Sequence, residues 1–243
     1  MRICFEGVSF GFGAAPVFEN LNLELSERDS ALPVAILGPS GCGKTSLLNL
    51  IAGLLLPRKG RVLKDSPSVS FVFQEPRLLP WLTVLENTAL QLKKILGKDG
   101  AEKRALRFLE SVSLGSKAGS FPHELSGGQM QRAALARAFA FPSEVLLMDE
   151  PFNSLDIPLR LDLMDTTIRL LSQEKRLALV VTHDPREAIY LGGRIVVLGQ
   201  PPGGVVFDEK LDLPREGRSY GSREAGEIEK KLIGILARYS ALP

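Results

Sequence analysis

Residues 32–50 read L-P-V-A-I-L-G-P-S-G-C-G-K-T-S-L-L-N-L. Val34 to Leu37 is a short aliphatic, β-branched run, which predicts a buried strand. Residues 38–43 are too rich in glycine for a regular element. After Lys44, apolar residues recur at helical spacing: Leu47, Leu48, Leu50, Ile51, Leu54 and Leu55. That predicts a helix reaching Leu55, closed by Pro57 and Gly60. Within this strand, loop and helix, Gly38, Pro39, Ser40, Gly41, Cys42, Gly43, Lys44 and Thr45 satisfy G-x-x-x-x-G-K-[ST].

The order suits a phosphate cradle. Glycines let successive N–H groups turn inward, and the helix adds its own unpaired donors. Amide bonds to a charged acceptor are worth about 1.5–3 kcal/mol each, against about 0.3–1 kcal/mol for the helix dipole. The amides therefore dominate. Lys44 adds a point charge for the β- and γ-phosphates, and Thr45 offers a hydroxyl to Mg²⁺.

The chain has 243 residues, enough for one large domain or a domain with an insertion. With 44% hydrophobic and 24% charged residues it has an ordinary globular composition. Thirty basic and 28 acidic residues leave +2, too little to draw it to nucleic acid or lipid. Cys4 and Cys42 form no disulfide framework. A bridge at Cys42 would obstruct the glycine loop, so a reducing cytosol is expected. Loop amides and the helix start are expected to lower the Cys42 thiol pKa and make it reactive. The first residues, M-R-I-C-F-E-G-V, lack a signal-peptide core, and the most apolar stretch, residues 47–56, is too short to cross a bilayer.

Along the chain, residues 2–8 and 21–25 alternate apolar and polar positions, predicting antiparallel strands. Between them, V-S-F-G-F-G at 8–13 reads as a glycine-loosened turn. Phe10 and Phe12 lie there, and two readings stay open: one stacks on a purine, or both are core. Residues 68–73 read as a strand with Gln74 at its end, either reaching toward Mg²⁺ or simply a loop residue. Thr83 and Glu86 form a capping box for a helix with Val84, Leu85, Ala89, Leu92, Ile95 and Leu96 on its apolar side. A second helix is expected over 101–112. Leu78, Leu79, Pro80 and Trp81 are densely apolar for a connection, either a local core or a face for a partner.

At 125–129 the chain reads L-S-G-G-Q. Ser126 and Gln129 make a second capping box, opening a helix that runs until Pro142. Ser126, Gly127, Gly128 and Gln129 thus form a second anion-binding helix start. Either one chain binds two anions or two chains share one nucleotide. Residues 143–156 read S-E-V-L-L-M-D-E-P-F-N-S-L-D. A buried strand here ends in Asp149, suited to holding Mg²⁺, and Glu150, positioned as a base for attacking water. Residues 178–183 predict another strand ending at His183, and functional residues collect at strand C-termini in open α/β sheets. His123 carries no such reading. Residues 194–198 and 205–207 read as closing strands, 201–221 as a surface connection. A helix over 222–237 should dock through Ile228, Leu232, Ile233 and Leu236.

Taken together, residues 38–45, Gln74, L-S-G-G-Q, V-L-L-M-D-E at 145–150, S-L-D at 154–156 and His183 resemble the ATP-binding cassette ATPase family in composition and order. The resemblance implies an α/β fold. Its RecA-like P-loop core and N-terminal antiparallel β subdomain would occupy 1–75 and 132–243, with a helical subdomain inserted at 76–131. It implies ATP and Mg²⁺ as ligands, and a second copy closing head-to-tail over two ATP. Residues 126–129 of one copy would then contact the γ-phosphate on the other's P-loop. By the same likeness Phe12 stacks on adenine and Ser46 touches phosphate. Asp156 would communicate across the dimer, and His183 would sense the γ-phosphate. Cys42 stands where serine is frequent.

F-V-F-Q-E-P-R-L-L-P-W-L-T-V-L-E-N, at 71–87, looks like the importer ATPases for nitrate, taurine and aliphatic sulfonates. P-F-N-S-L-D departs from the P-F-G-A-L-D frequent there. The likeness implies integral-membrane permease partners, an extracytoplasmic solute-binding protein, and a place at the cytoplasmic face of the cell membrane, with no nucleic acid. The competing reading is a soluble cassette ATPase acting on DNA or the ribosome. Residues 74–125 leave no room for an inserted coiled coil, and the chain carries one cassette rather than two. A P-loop GTPase or small-molecule kinase would leave L-S-G-G-Q unexplained and lacks N-K-x-D.

Overall fold

The computed structural model describes residues 1–26, 32–153 and 155–240. Ser154 of the S-L-D motif lies outside the described residues. The chain divides into two units, one formed by Met1–Pro67 with Arg176–Pro243, the other by Ser68–Lys175.

The first unit opens with an antiparallel sheet of β1 (Arg2–Phe12), β2 (Ala15–Ser26) and β4 (Lys59–Lys64), in the order β2-β1-β4. Alternate residues of β1 and β2, among them Ile3, Phe5, Phe18, Leu21 and Leu25, are buried, as a one-sided sheet requires. The predicted turn at 8–13 is instead the end of β1. Phe10 pairs with Phe18, Phe12 with Ala15, and register shifts at Val8, Phe10 and Gly11 absorb the irregularity. β4 was not legible in the sequence: no residue of it is buried, and Val62 and Leu63 are its only apolar side chains.

The same unit contains the strand order β7-β3-β8-β9. β3 (Val34–Leu37) and β7 (Leu177–Val181) are buried at every position and run parallel. Such runs are what a sheet covered on both faces selects. β8 (Arg194–Leu198) lies parallel to β3, and β9 (Val205–Lys210) returns antiparallel. α1 (Lys44–Ala52) follows β3 and ends three residues earlier than its apolar pattern suggests. Gly53 adopts φ 76°, and the Leu54 amide donates to the Asn49 carbonyl at 2.9 Å, closing the helix. Leu54, expected on the apolar face, is exposed.

α6 (Pro185–Leu191) and α7 (Arg223–Ser240) complete this unit and pack on each other. α7 buries Ala225 and Leu232, whereas Ile233, expected in the docking face, is exposed. The segment 201–221 is more than a surface connection. It contains β9, and it contributes Arg218, whose buried guanidinium donates to the carbonyls of Leu213 at 2.7 Å, Leu211 at 3.0 Å and Ile189 at 3.3 Å. Burial pushes that guanidinium pKa below its ordinary value.

The second unit holds the parallel pair β5 (Val69–Val72) and β6 (Val145–Asp149) with, among the described residues, four α-helices and two short 3-10 turns. α2 (Val84–Ala89) is opened by the expected capping box: Thr83 Oγ1 accepts from the Glu86 amide at 3.2 Å, and Glu86 Oε2 accepts from the Thr83 amide at 2.8 Å. The single helix predicted through Leu96 breaks after α2. α3 (Lys93–Ser111) begins anew and kinks at Gly97, leaving Ile95 and Leu96 exposed. α4 (Gly127–Ala140), rich in buried alanine, packs against α2, α3, β5 and α5 (Ile157–Gln173). Alanine removes side-chain bulk there, which lets helix axes approach closely.

Candidate functional site

The glycine loop connects β3 to α1 as the sequence predicts. Gly41 and Gly43 have φ 81° and 100°, the left-handed region open to glycine at little cost. Gly43 is fixed twice over, since a Cβ there would come within 2.7 Å of the Phe18 ring. The loop thus seats on the antiparallel sheet only if residue 43 has no side chain. Lys44 is buried, and its Nζ donates to the carbonyls of Gly38 at 2.8 Å and Pro39 at 3.0 Å. Ser40, Gly41 and Thr45 are exposed along the outer side of the loop, while Pro39 is half-buried and Ser46 is buried.

Cys42 reverses its expectation. The side chain is fully buried, with its sulfur filling the space beside Gly38. Burial raises the thiol pKa, and the lowering by Lys44 and by backbone N–H groups is the smaller effect. A neutral, enclosed thiol is a poor nucleophile. In Cys4→Ser protein a small maleimide is therefore expected to leave Cys42 unlabelled at pH 7.5, with or without ATP, until the protein is denatured. Rapid labelling of the native variant, read by mass spectrometry, would contradict this placement.

The two phenylalanines separate. Phe10 is buried, whereas Phe12 is 59% exposed and meets Phe10 edge-to-face at 5.0 Å. Arg58 braces this strand end by donating to the carbonyls of Gly11, at 3.0 Å, and Gly13. Phe12 is thus a held, solvent-facing ring. His183 is exposed just beyond β7. The turn carrying it is fixed by Thr182, whose Oγ1 donates to buried Glu187 at 2.5 Å and accepts from the Asp184 amide at 3.1 Å.

In the second unit Gln74 is exposed two residues past β5. Its loop is held by an interaction the sequence did not reveal. Arg137, in the last turn of α4, donates to the carbonyls of Pro76 at 2.7 Å and Arg77 at 2.8 Å. An arginine inside the alanine-rich A-L-A-R-A-F-A was the available signal. Farther along, buried Asn87 accepts from the Leu79 amide at 2.7 Å and donates to the carbonyls of Leu79, Leu82 and Thr83 at 3.0–3.1 Å. That pinned loop leaves Trp81 69% exposed. Trp81 is therefore no part of a local core.

Asp149 ends β6 and is buried; Glu150 follows at φ 44°, a left-handed conformation that re-aims its side chain off the strand. Asn153 Nδ2 donates to Glu150 Oε2 at 3.0 Å. The capping box at α4 has both its bonds: Ser126 Oγ accepts from the Gln129 amide at 3.3 Å, and Gln129 Oε1 accepts from the Ser126 amide at 3.0 Å. Gly128 packs close to Leu159 of α5, and a Cβ there would displace the end of the Leu159 side chain. Asp156 caps α5, accepting from the Leu159 amide at 3.0 Å.

The residue chemistry fits a nucleotide with a hard cation. The Thr45 hydroxyl and Asp149 carboxylate are oxygen donors of the kind magnesium takes alongside phosphate. Among the described residues no group of three or more His, Cys, Asp or Glu is placed to hold a metal by itself. A strand, a positive-φ glycine loop closing on a buried lysine, and a helix start define a P-loop nucleoside triphosphatase.

Residues 18–153 match the family described as ABC transporter. The chain is 39% identical over 233 residues to an aliphatic sulfonates import ATP-binding protein of Agrobacterium fabrum, covering 96% of this chain and 82% of that protein. It is 42% identical over 232 residues to the Bacillus cereus protein of the same description, covering 91% and 88%. Among solved structures, a dimeric ATP-binding cassette in a post-hydrolysis state, bound to ADP and Pi, aligns with TM-score 0.75 and 32% identity, over 87% of this chain and all of that one. The chain belongs to the ABC transporter family. It is an ATP-binding, ATP-hydrolysing cassette with the α/β P-loop fold expected from the sequence.

Proposed function

We propose that this ATPase is the energising subunit of a membrane importer for a small solute of the sulfonate, taurine or nitrate kind. The observation that carries the reading is Trp81, an exposed aromatic on a loop pinned by Asn87, seven residues after Gln74. Similarity to two aliphatic sulfonates import proteins over more than nine-tenths of the chain supports it. No helix among the described residues is long and apolar enough to cross a membrane. The membrane partner in this reading is a separate permease, docked at the cytoplasmic face and served by an extracytoplasmic solute-binding protein. Nucleic acid has no part in it.

Two copies close head-to-tail over two ATP. Residues 38–46 hold the phosphates through their backbone N–H groups, Pro39 alone having none to give, and Lys44, whose ammonium has three hydrogens, adds a charge-assisted bond to them. Phe12 stacks on the adenine. Ser126, Gly127, Gly128 and Gln129 face the γ-phosphate held by the other copy. Magnesium, held by Thr45, Gln74 and Asp149, would neutralise phosphate charge. Glu150 accepts the proton of the attacking water, and His183 contacts the γ-phosphate. The helical subdomain that follows the permease spans 76–131, inserted between 1–75 and 132–243.

The test is reconstitution with whatever multi-span permease and solute-binding protein the neighbouring coding region encodes. Co-purification and ATP-dependent uptake of labelled taurine, an alkanesulfonate or nitrate into proteoliposomes are expected. An ATPase that ignores the permease but is stimulated by DNA or ribosomes would overturn the importer.

A further inference from the structure

Glu150 is held by more than its strand. Residues 150–153 form a tight turn. Its centre is fixed by buried Phe152 and by Gln131, whose Nε2 donates to the Pro151 carbonyl at 2.6 Å. The free end of the turn is Asn153, exposed, and bonded to Glu150 twice: Nδ2 to Oε2 at 3.0 Å, and the backbone amide to the Glu150 carbonyl at 3.4 Å. Only the first bond depends on the residue type. A glutamate side chain has three rotors, and a base must present one oxygen to one water in one direction. A donor on Oε2 removes most of that freedom.

We infer that Asn153 is a positioning residue for Glu150, its amide aiming the carboxylate that accepts the proton of the attacking water. The inference rests on Glu150 being that base. Asn153 touches neither substrate nor phosphate in this role and acts only through Oε2. Because the bond is exposed, its worth to folding is small. Its effect belongs to the chemical step.

The experiment measures kcat and KM for ATP, with melting temperature, in the purified full chain for Asn153→Ala, Asn153→Asp and Glu150→Gln. Asn153→Ala is expected to lower kcat about tenfold with KM within about twofold, since misaiming spoils the reacting geometry and not nucleotide binding. Asn153→Asp keeps the shape but replaces the donor with an acceptor that repels the carboxylate. It is expected to lose at least as much activity while melting within about 2 °C of wild type. Wild-type kcat in Asn153→Ala, full activity in Asn153→Asp, or a kcat loss that only tracks melting would each overturn the inference. An inactive Glu150→Gln beside a normal Asn153→Ala sinks Asn153 alone, whereas turnover retained in Glu150→Gln removes the base and the inference with it.

Discussion

Replacing Glu150 with glutamine is expected to reduce ATP turnover by about 10²–10⁴, or roughly 2.7–5.4 kcal/mol of barrier, while leaving ATP binding in place. The substitution is clean for a structural reason. Glutamine has the size of glutamate, and its amide oxygen can still accept from Asn153 Nδ2, so the hold on the side chain survives. Only the capacity to take a proton from water is lost. With hydrolysis blocked, the ATP-bound form should accumulate as a dimer. Gel filtration with ATP and magnesium should then show a species of twice the mass that is absent with ADP. Wild-type turnover in this variant would take Glu150 out of the catalytic role.

What the sequence revealed, and what it hid, divides by the range of the interaction involved. Both capping boxes were legible because each is closed by residues three apart: Thr83 with Glu86, and Ser126 with Gln129. The buried strands ending near Glu150 and His183 were legible because each is a continuous apolar run, and the strand before Gln74 because β-branched and aromatic residues recur in it. The candidate residues could therefore be named from their positions at loop and strand ends. Contacts between distant residues were not legible. A local signal also misled: α1 stops at Ala52 because Gly53 turns left-handed, although the apolar pattern continues past it. The Cys42 environment depends on how the loop folds back beside Gly38, and burial there outweighs the charges that local reading favoured. The side-chain hold of Arg137 on the loop after Gln74 spans about sixty residues of sequence, and no spacing rule announces it.

The same distinction decides how Trp81 should be tested. By sequence it was an apolar residue in an apolar stretch, and a local core was one of two readings. In the structure it is largely solvent-facing, while buried Asn87 holds the loop that presents it. Truncating a side chain this exposed should change stability by no more than about 0.5 kcal/mol, or roughly 1–2 °C in a chain of this size. If Trp81 is the anchor for a permease helix, the same truncation removes a hot spot worth about 2 kcal/mol, a roughly thirtyfold loss of affinity. Trp81→Ala is therefore expected to keep the basal ATPase activity and melting temperature of the isolated chain, to co-purify poorly with the permease, and to lose transport. Asn87→Ala is the complementary variant. It removes the side-chain donor to the Leu82 carbonyl and the acceptor of the Leu79 amide, while the Leu79 and Thr83 carbonyls keep backbone donors, so it should both melt a few degrees lower and weaken docking. A Trp81→Ala protein that melts much earlier yet transports normally at permissive temperature would return Trp81 to a packing role. Unchanged melting with unchanged transport would move the docking surface elsewhere, and the exposed Leu90, Ile95 and Leu96 around the break between α2 and α3 would be the next residues to truncate.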